Sequence, residues 1–382
     1  MLLKTVYLKG FRAHLDTKLS CSRGVNIISG PNGAGKTNVL EAIHYICLTK
    51  SFLVSQDNYA LQRNAPFFEL RGEFQGEHRP QLEVRVVYLP EEGKRVFINR
   101  NPVERLAKVV GQFPVVVFSP EDYELTAGGP EERRRFINNT LSQAHPLYLD
   151  DLMKYRRVLK QRNVLLMALR RGEPVHPEHL RSWNEELILL GSRIILARQQ
   201  FIQEFSQYLA RAYRLMEAVG ECPGITYQGV VTAEGPLEHI VEQYRERLGA
   251  VYQKEREQGR TLVGPHRDEM RFTINGFELR RYASQGQHRT FGMALKLAKY
   301  FYLQDHLNEA PILLLDDVFG TLDTQRVAVL LELLQSGEVG QSFITTAEPD
   351  PLLRYLKPSG DHQQIIIEAG QVMDIRSCAE IV

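Results

Sequence analysis

The sequence predicts an α/β fold interrupted by a helical insertion: a phosphate-loop core built on a mixed sheet, with an antiparallel β lobe beside it. Three observations carry that prediction. A glycine-rich loop at residues 30–37 lies between an apolar run, Val25-Asn26-Ile27-Ile28-Ser29, and a helical pattern. From residue 145 the β texture gives way to leucines spaced at helical intervals. Further on, a second apolar run, Ile312-Leu313-Leu314-Leu315, closes on two aspartates.

Taken in order, residues 2–8, 25–29, 67–76, 82–89 and 95–99 read as strands, each a short β-branched or aromatic run bounded by Gly, Pro or Asn. The alternation over 81–87 and 95–99 suits an antiparallel sheet. Val39, Leu40, Ile43, Tyr45, Ile46 and Leu48 give the segment after the loop a buried helical face. Leu149, Leu152, Leu159, Leu166 and Leu169 predict a helix over 145–171. After a break at 172–177, a stripe from Trp183 through Leu187, Leu190, Ile194, Phe201 and Phe205 to Leu215 predicts a second helix, with Gly191 a place for a kink. At ~1.5 Å per residue it would run ~50 Å, and such a stripe is a packing seam rather than a cofactor box. A third helix is expected over 236–258, a hairpin on the Asn275-Gly276 turn over 271–279, a helix over 287–306 and a strand over 311–317. The expected organisation is a core of residues 1–145 and 261–382, with a helical arm domain, 146–260, between them.

Composition narrows the class. A net charge of +1 does not announce a polyanion binder, so any such surface must come from local clusters. Arg133-Arg134-Arg135 is one candidate, and the face from Lys154 through Arg156, Arg157 and Lys160 to Arg162 is another. The apolar runs are too short to cross a bilayer, and Met1-Leu2-Leu3-Lys4-Thr5 reads as a strand rather than a secretory signal. Cys21, Cys47, Cys222 and Cys378 are far apart without metal-ligand spacing, which suits reduced thiols and a cytoplasmic location.

The chemistry lies in a few motifs. In Gly30-Pro31-Asn32-Gly33-Ala34-Gly35-Lys36-Thr37-Asn38, glycines let backbone N–H groups turn inward around the β- and γ-phosphates of a nucleotide. Lys36 supplies a mobile cation, and the Thr37 hydroxyl can ligate Mg²⁺. Asp316, ending an apolar strand, can hold Mg²⁺ through water, and Asp317 can orient or deprotonate the attacking water. Ala283-Ser284-Gln285-Gly286-Gln287 opens a helix and so forms a second anion site. One complete phosphate loop needs no second such site in its own pocket. Ser284 makes sense if it reaches across a dimer to the γ-phosphate held by another copy, and Asp323, after Gly320-Thr321-Leu322, fits a loop linking the two sites.

In this order the motifs match the Walker A, signature, Walker B and D-loop of ATP-binding-cassette (ABC-type) ATPases. Within that superfamily the chain closely resembles the RecF family, relatives of Rad50 and SMC heads. The resemblance also rests on Phe11-Arg12, Phe118-Ser119-Pro120-Glu121-Asp122, residues 129–136, Gly264-Pro265-His266-Arg267-Asp268 and Tyr282-Ala283. It implies an ATPase head with a short arm, too short for the long coiled coil of Rad50 or SMC proteins. ATP would close two copies into a DNA clamp at gaps or junctions, and with RecO and RecR this would promote RecA loading. It further implies that Arg12 contacts the nucleotide phosphates and that residues 118–122 occupy the Q-loop region, although no glutamine is identifiable near Pro120. Thr345-Thr346 stands where many cassette ATPases carry a switch histidine. A threonine such as Thr346 can bond a γ-phosphate but cannot titrate, which fits slow, DNA-stimulated hydrolysis. Arg133, Arg134, Arg135, Lys154 and Arg157 are the candidate DNA contacts. The rival reading is a cassette ATPase serving a non-DNA task, such as a transporter subunit, which would also lack a membrane segment. A small-molecule kinase would leave Ser284 and Asp323 without a role.

Overall fold

The computed structural model describes residues 1–76, 81–216, 220–229, 231, 235–321 and 324–379. The strands, in chain order, are β1 (Leu2–Phe11), β2 (His14–Ser20), β3 (Val25–Ser29), β4 (Phe68–Gln75), β5 (Leu82–Leu89), β6 (Gly93–Ile98), β7 (Asn101–Pro102), β8 (Val115–Phe118), β9 (Pro223–Gln228), β10 (Glu269–Ile274), β11 (Phe277–Glu278), β12 (Ile312–Asp316), β13 (Ser342–Thr346), β14 (Gln363–Glu368) and β15 (Gln371–Ser377). The helices are α1 (Lys36–Leu48), α2 (Tyr123–Ala127), α3 (Pro130–Ala144), α4 (Pro146–Arg170), α5 (Pro177–Leu215), α6 (Leu237–Gln258), α7 (Leu279–Tyr282), α8 (Gln285–Leu307), α9 (Thr324–Gln335) and α10 (Asp350–Leu353).

These elements form two compact units: Met1–Asp122 with Arg211–Val219 and Arg289–Val382, and Tyr123–Ala210 with Gly220–His288. The inserted unit therefore begins and ends outside the expected 146–260, taking in α2, α3 and the β10–β11 hairpin. The signature residues 284–287 belong to it rather than to the C-terminal part of the core.

The first unit holds two six-stranded sheets. The central one runs β15-β14-β3-β13-β12-β8, parallel except for the β14–β15 pair. Every residue of β3, β12 and β13 is buried, as expected of interior strands covered on both faces. The second sheet, β2-β1-β4-β5-β6-β7, is antiparallel, and the β4 and β5 patterns alternate between buried and more exposed positions. Helix α1 packs on strands of both sheets, which is why every residue from Val39 to Leu48 is buried rather than one stripe. Short sequence signals left β2, β8, β9, β14 and β15 unanticipated.

In the inserted unit, β11-β10-β9 form a small antiparallel sheet whose hairpin turns at Asn275 (φ 50°) and Gly276 (φ 80°). Helix α5 is unbroken at Gly191. A Cβ at Gly191 would lie 2.4 Å from the Tyr244 ring, so this glycine admits a close neighbour rather than a kink. All four cysteines are free thiols, and among the described residues no helix is long and apolar enough to cross a membrane.

Candidate active site

The strand order decides which side chains meet. β13 lies between β3 and β12, so the carboxyl ends of these strands bring the glycine loop, Asp316 and Thr345 together. The loop leaves β3 at Gly30, whose φ of 148° and absent Cβ let it approach β14: a Cβ there would sit 2.0 Å from the Ile367 carbonyl. Gly33 and Gly35 also have positive φ, at 81° and 100°. Helix α1 then starts at Lys36 with no side-chain cap, which leaves its first-turn N–H groups available to an anion. Pro31, Asn32 and Gly33 are exposed, and the Asn38 N–H donates to the Gly35 carbonyl at 3.0 Å.

Lys36 Nζ donates to the Gly30 and Pro31 carbonyls at 2.7 and 2.9 Å. Burial lowers its pKa, while the carboxylates of Asp317 and Asp316 act in the other direction. Asp316 Oδ1 accepts from both the Thr37 hydroxyl at 2.7 Å and the Thr345 hydroxyl at 2.8 Å. Burial raises the Asp316 pKa, against the lowering effect of those two hydrogen bonds. The next residue, Asp317, is exposed and sits in the left-handed region (φ 48°), with its N–H donating to Thr345 Oγ1 at 2.9 Å. Thr345 thus bridges the two aspartates. Thr346, the candidate for a γ-phosphate contact, bonds the backbone of Glu348 through its hydroxyl.

The donor set of Thr37 and Asp316 is all oxygen, which suits Mg²⁺, a hard cation that takes one or two protein ligands and completes its shell with water and phosphate. Among the described residues no group of three or more His, Cys, Asp or Glu is placed to hold a metal ion.

Arg12, in the left-handed turn between β1 and β2, forks onto the buried Glu41 of α1 at 2.8 and 2.7 Å and donates to the Tyr59 carbonyl at 2.9 Å. Three of its five N–H groups are so engaged. In the 118–122 segment, Asp122 accepts from the Ser119 N–H at 2.9 Å and pairs with Lys296 at 2.6 Å. Glu41 and Lys296 give no sequence signal because their partners lie far away along the chain.

In the inserted unit, Ser284 and Gln287 form a reciprocal capping box at the start of α8: the Ser284 N–H donates to Gln287 Oε1 at 2.8 Å, and the Gln287 N–H to Ser284 Oγ at 3.2 Å. Gln287 Nε2 also donates to Glu221 Oε1 at 2.8 Å. Ser284 and Gln285 are exposed and Gly286 is half-buried. Asp323, with Leu322, lies outside the described residues.

The basic clusters need correction. Arg133 is 4% exposed and bidentate to Glu269, at 2.8 and 3.0 Å, so it is a structural ion pair rather than a surface contact. Arg134 is half-buried and donates to the Asp268 carbonyl at 2.9 Å; Arg135 alone of the three is exposed. On α4, Lys154, Arg156, Arg157 and Lys160 are exposed, with Lys154 2.6 Å from Asp150. Arg162, expected on the same face, is fully buried and bonds Glu255, Thr261 and Asn184. In the 264–268 segment Gly264, Pro265 and Asp268 are buried and Arg267 is exposed: Arg198 donates to the Pro265 carbonyl, and burial pushes the pKa of the half-buried His266 down to about 4 beside the Tyr155 hydroxyl.

Comparison with known proteins matches this arrangement. The family described as RecF/RecN/SMC N terminal domain matches residues 2–360. A DNA replication and repair protein RecF from Salinibacter ruber is 50% identical over 354 residues, 92% of this chain and 86% of that one. The chain belongs to the RecF family. A solved structure of the recombination mediator protein RecF with ATP, from the RecFOR pathway, is similar with a TM-score of 0.89 at 30% identity, covering 98% of this chain and 97% of that one. At 14% identity and a TM-score of 0.55, covering 100% of this chain and 97% of the other, a Pyrococcus furiosus Smc head domain shares the fold. The α/β fold is accordingly that of an ABC-type ATPase head.

Proposed function

We propose that this RecF-family protein is a DNA-repair ATPase: two copies close on DNA when each binds ATP, and hydrolysis reopens them. The observation that carries the reading is the convergence of Lys36, Thr37, Asp316 and Thr345 at the mouth of an uncapped helix. Nucleotide phosphates would displace the Gly30 and Pro31 carbonyls from Lys36 and take the N–H groups of the loop. Thr37 and Asp316 would hold Mg²⁺, whose charge offsets that of the phosphates. Asp317, exposed next to that pair, is the base that orients water. Arg12 has two guanidinium N–H groups left for a phosphate, and Ser284 would come from the second copy. Asp323 and Thr346 remain assigned to the same pocket. The relatives' names and the RecFOR description support action on DNA with RecO and RecR, and gapped or junction DNA is the substrate assigned to it here. Nothing in the site favours a transporter subunit.

The test is ATP hydrolysis by the full chain with and without gapped duplex DNA, over a salt series. Hydrolysis should be slow, rise with DNA, and lose that stimulation steeply as salt increases. Asp317→Asn should bind ATP, hydrolyse little and accumulate as a DNA-holding dimer. A monomeric Asp317→Asn protein in saturating ATP, or a wild type indifferent to DNA, would defeat the proposal.

A further inference from the structure

We propose that His14, which lies outside every nucleotide motif, is a positioning residue that turns the Gly35–Lys36 peptide of the phosphate loop toward bound phosphate, with Thr17 and Gly370 completing the brace. This inference rests on nucleotide binding at that loop. Two consecutive carbonyls on the back of the loop take bonds from outside the motif, and that of Gly35 also accepts from the Asn38 N–H at 3.0 Å within it. The Gly370 N–H donates to the Ala34 carbonyl at 2.9 Å, and His14 Nε2 bonds the Gly35 carbonyl at 3.0 Å. In a planar trans peptide the C=O and the following N–H point in opposite directions. Pinning these two carbonyls therefore aims the N–H groups of Gly35 and Lys36 the other way. Among the described residues neither N–H finds a protein acceptor. They are the donors a phosphate would use.

The brace is closed on itself. His14 Nδ1 lies 3.1 Å from Thr17 Oγ1, and that hydroxyl lies 2.8 Å from the Gly370 carbonyl. Both glycines make the approach possible: a Cβ on Gly35 would fall 2.9 Å from His14 Nε2, and one on Gly370 would fall 2.1 Å from the Ala13 carbonyl. His14 is 0% exposed, and burial lowers its pKa, so the ring is neutral. A carbonyl cannot donate, so Nε2 carries the proton to Gly35, while the Thr17 hydroxyl beside Nδ1 donates to the Gly370 carbonyl. A leucine would fill this apolar position without the desolvation penalty of an imidazole. What it could not do is hold the loop.

Titration of a fluorescent ATP analogue into the full-length chain tests this, with melting temperature measured without nucleotide. His14→Leu leaves the Gly35 carbonyl only its bond from the Asn38 N–H, loosens the peptide, and should weaken binding about tenfold, the loss of one good hydrogen bond. His14→Gln, whose amide N–H can donate to the Gly35 carbonyl, should bind within about threefold of wild type. Thr17→Val should fall between them. Lys36→Met serves as the control without binding. If folded wild type does not bind, the nucleotide reading itself fails. Wild-type affinity in His14→Leu overturns the inference alone. So does an affinity loss in His14→Gln equal to that of His14→Leu at matched melting temperatures. If His14→Leu does not fold, the other two variants decide: wild-type affinity in both overturns the inference, and weakening confined to Thr17→Val supports it.

Discussion

Asp316 is the residue where stability and chemistry pull against each other. Its carboxylate is buried behind two hydroxyls, and burial raises its pKa. A carboxyl whose folded pKa lies above its unfolded value opposes folding when charged; the penalty is absent below the ordinary carboxylate range, near ~3.9, and grows as pH rises through the folded value. Asp316→Asn should therefore raise the melting temperature of the nucleotide-free protein at pH 7 by about 2 °C, while turnover falls to background. That gain should shrink as pH falls and the wild-type acid takes up its own proton. A calorimetric series in pH checks both statements; an Asn variant less stable than wild type at pH 7 would contradict them. Lys36, Thr37 and Asp316 are legible in the sequence because each sits in a contiguous motif. The bond from Thr345 to Asp316 is not, because it follows from the pairing of those residues across β12 and β13. That register is a non-local fact.

At the scale of elements, burial separates arginines that look alike in sequence. On α3, Arg133 falls on the same stripe as Phe136, Ile137, Thr140 and Leu141, all buried, whereas Arg135 faces out. The helical period is enough to show this once it is applied to charged residues as well as apolar ones. Neutralising Arg156, Arg157 and Lys160 together should reduce the log–log salt slope of duplex DNA binding by ~0.9 for every phosphate those side chains neutralise. Arg133→Ala should leave that slope unchanged and destabilise the inserted unit by about 3 kcal/mol, because Glu269 loses its partner. Salt titrations of DNA binding, with a denaturation curve for each variant, distinguish the two outcomes. An unchanged slope in the triple variant would remove the α4 face from the DNA surface. The helices of the arm are legible from their leucine spacing, yet Gly191 is not: its role depends on Tyr244, on another helix.

For the molecule as a whole, the division into units sets what a shared site must involve. Lys36 and Ser284 belong to different compact units of one chain, although proximity to Walker B along the sequence groups Ser284 with the core. Packing in space, not sequence distance, assigns it to the insertion. If Ser284 serves the loop of a second copy, Lys36→Met and Ser284→Arg homodimers should both be inactive. Equal mixtures of the two should restore about a quarter of wild-type sites, since half the dimers are mixed and each has one intact pocket of two. Differently tagged subunits verify exchange, and mixed dimers without a tight ATP site would place Ser284 in its own subunit's service. The capping box at Ser284 bears on how such a dimer behaves at rest. At this helix start the N–H groups of Ser284 and Gln287 are already taken by each other's side chains. An incoming phosphate can accept the free Ser284 O–H, but it reaches the Ser284 and Gln287 N–H groups only by displacing Gln287 Oε1 and Ser284 Oγ, a competition worth about 1 kcal/mol, or roughly fivefold in affinity. The same two side chains that stabilise the lone subunit therefore act as a threshold. They discourage chance encounters and leave association to copies whose nucleotide can displace the cap.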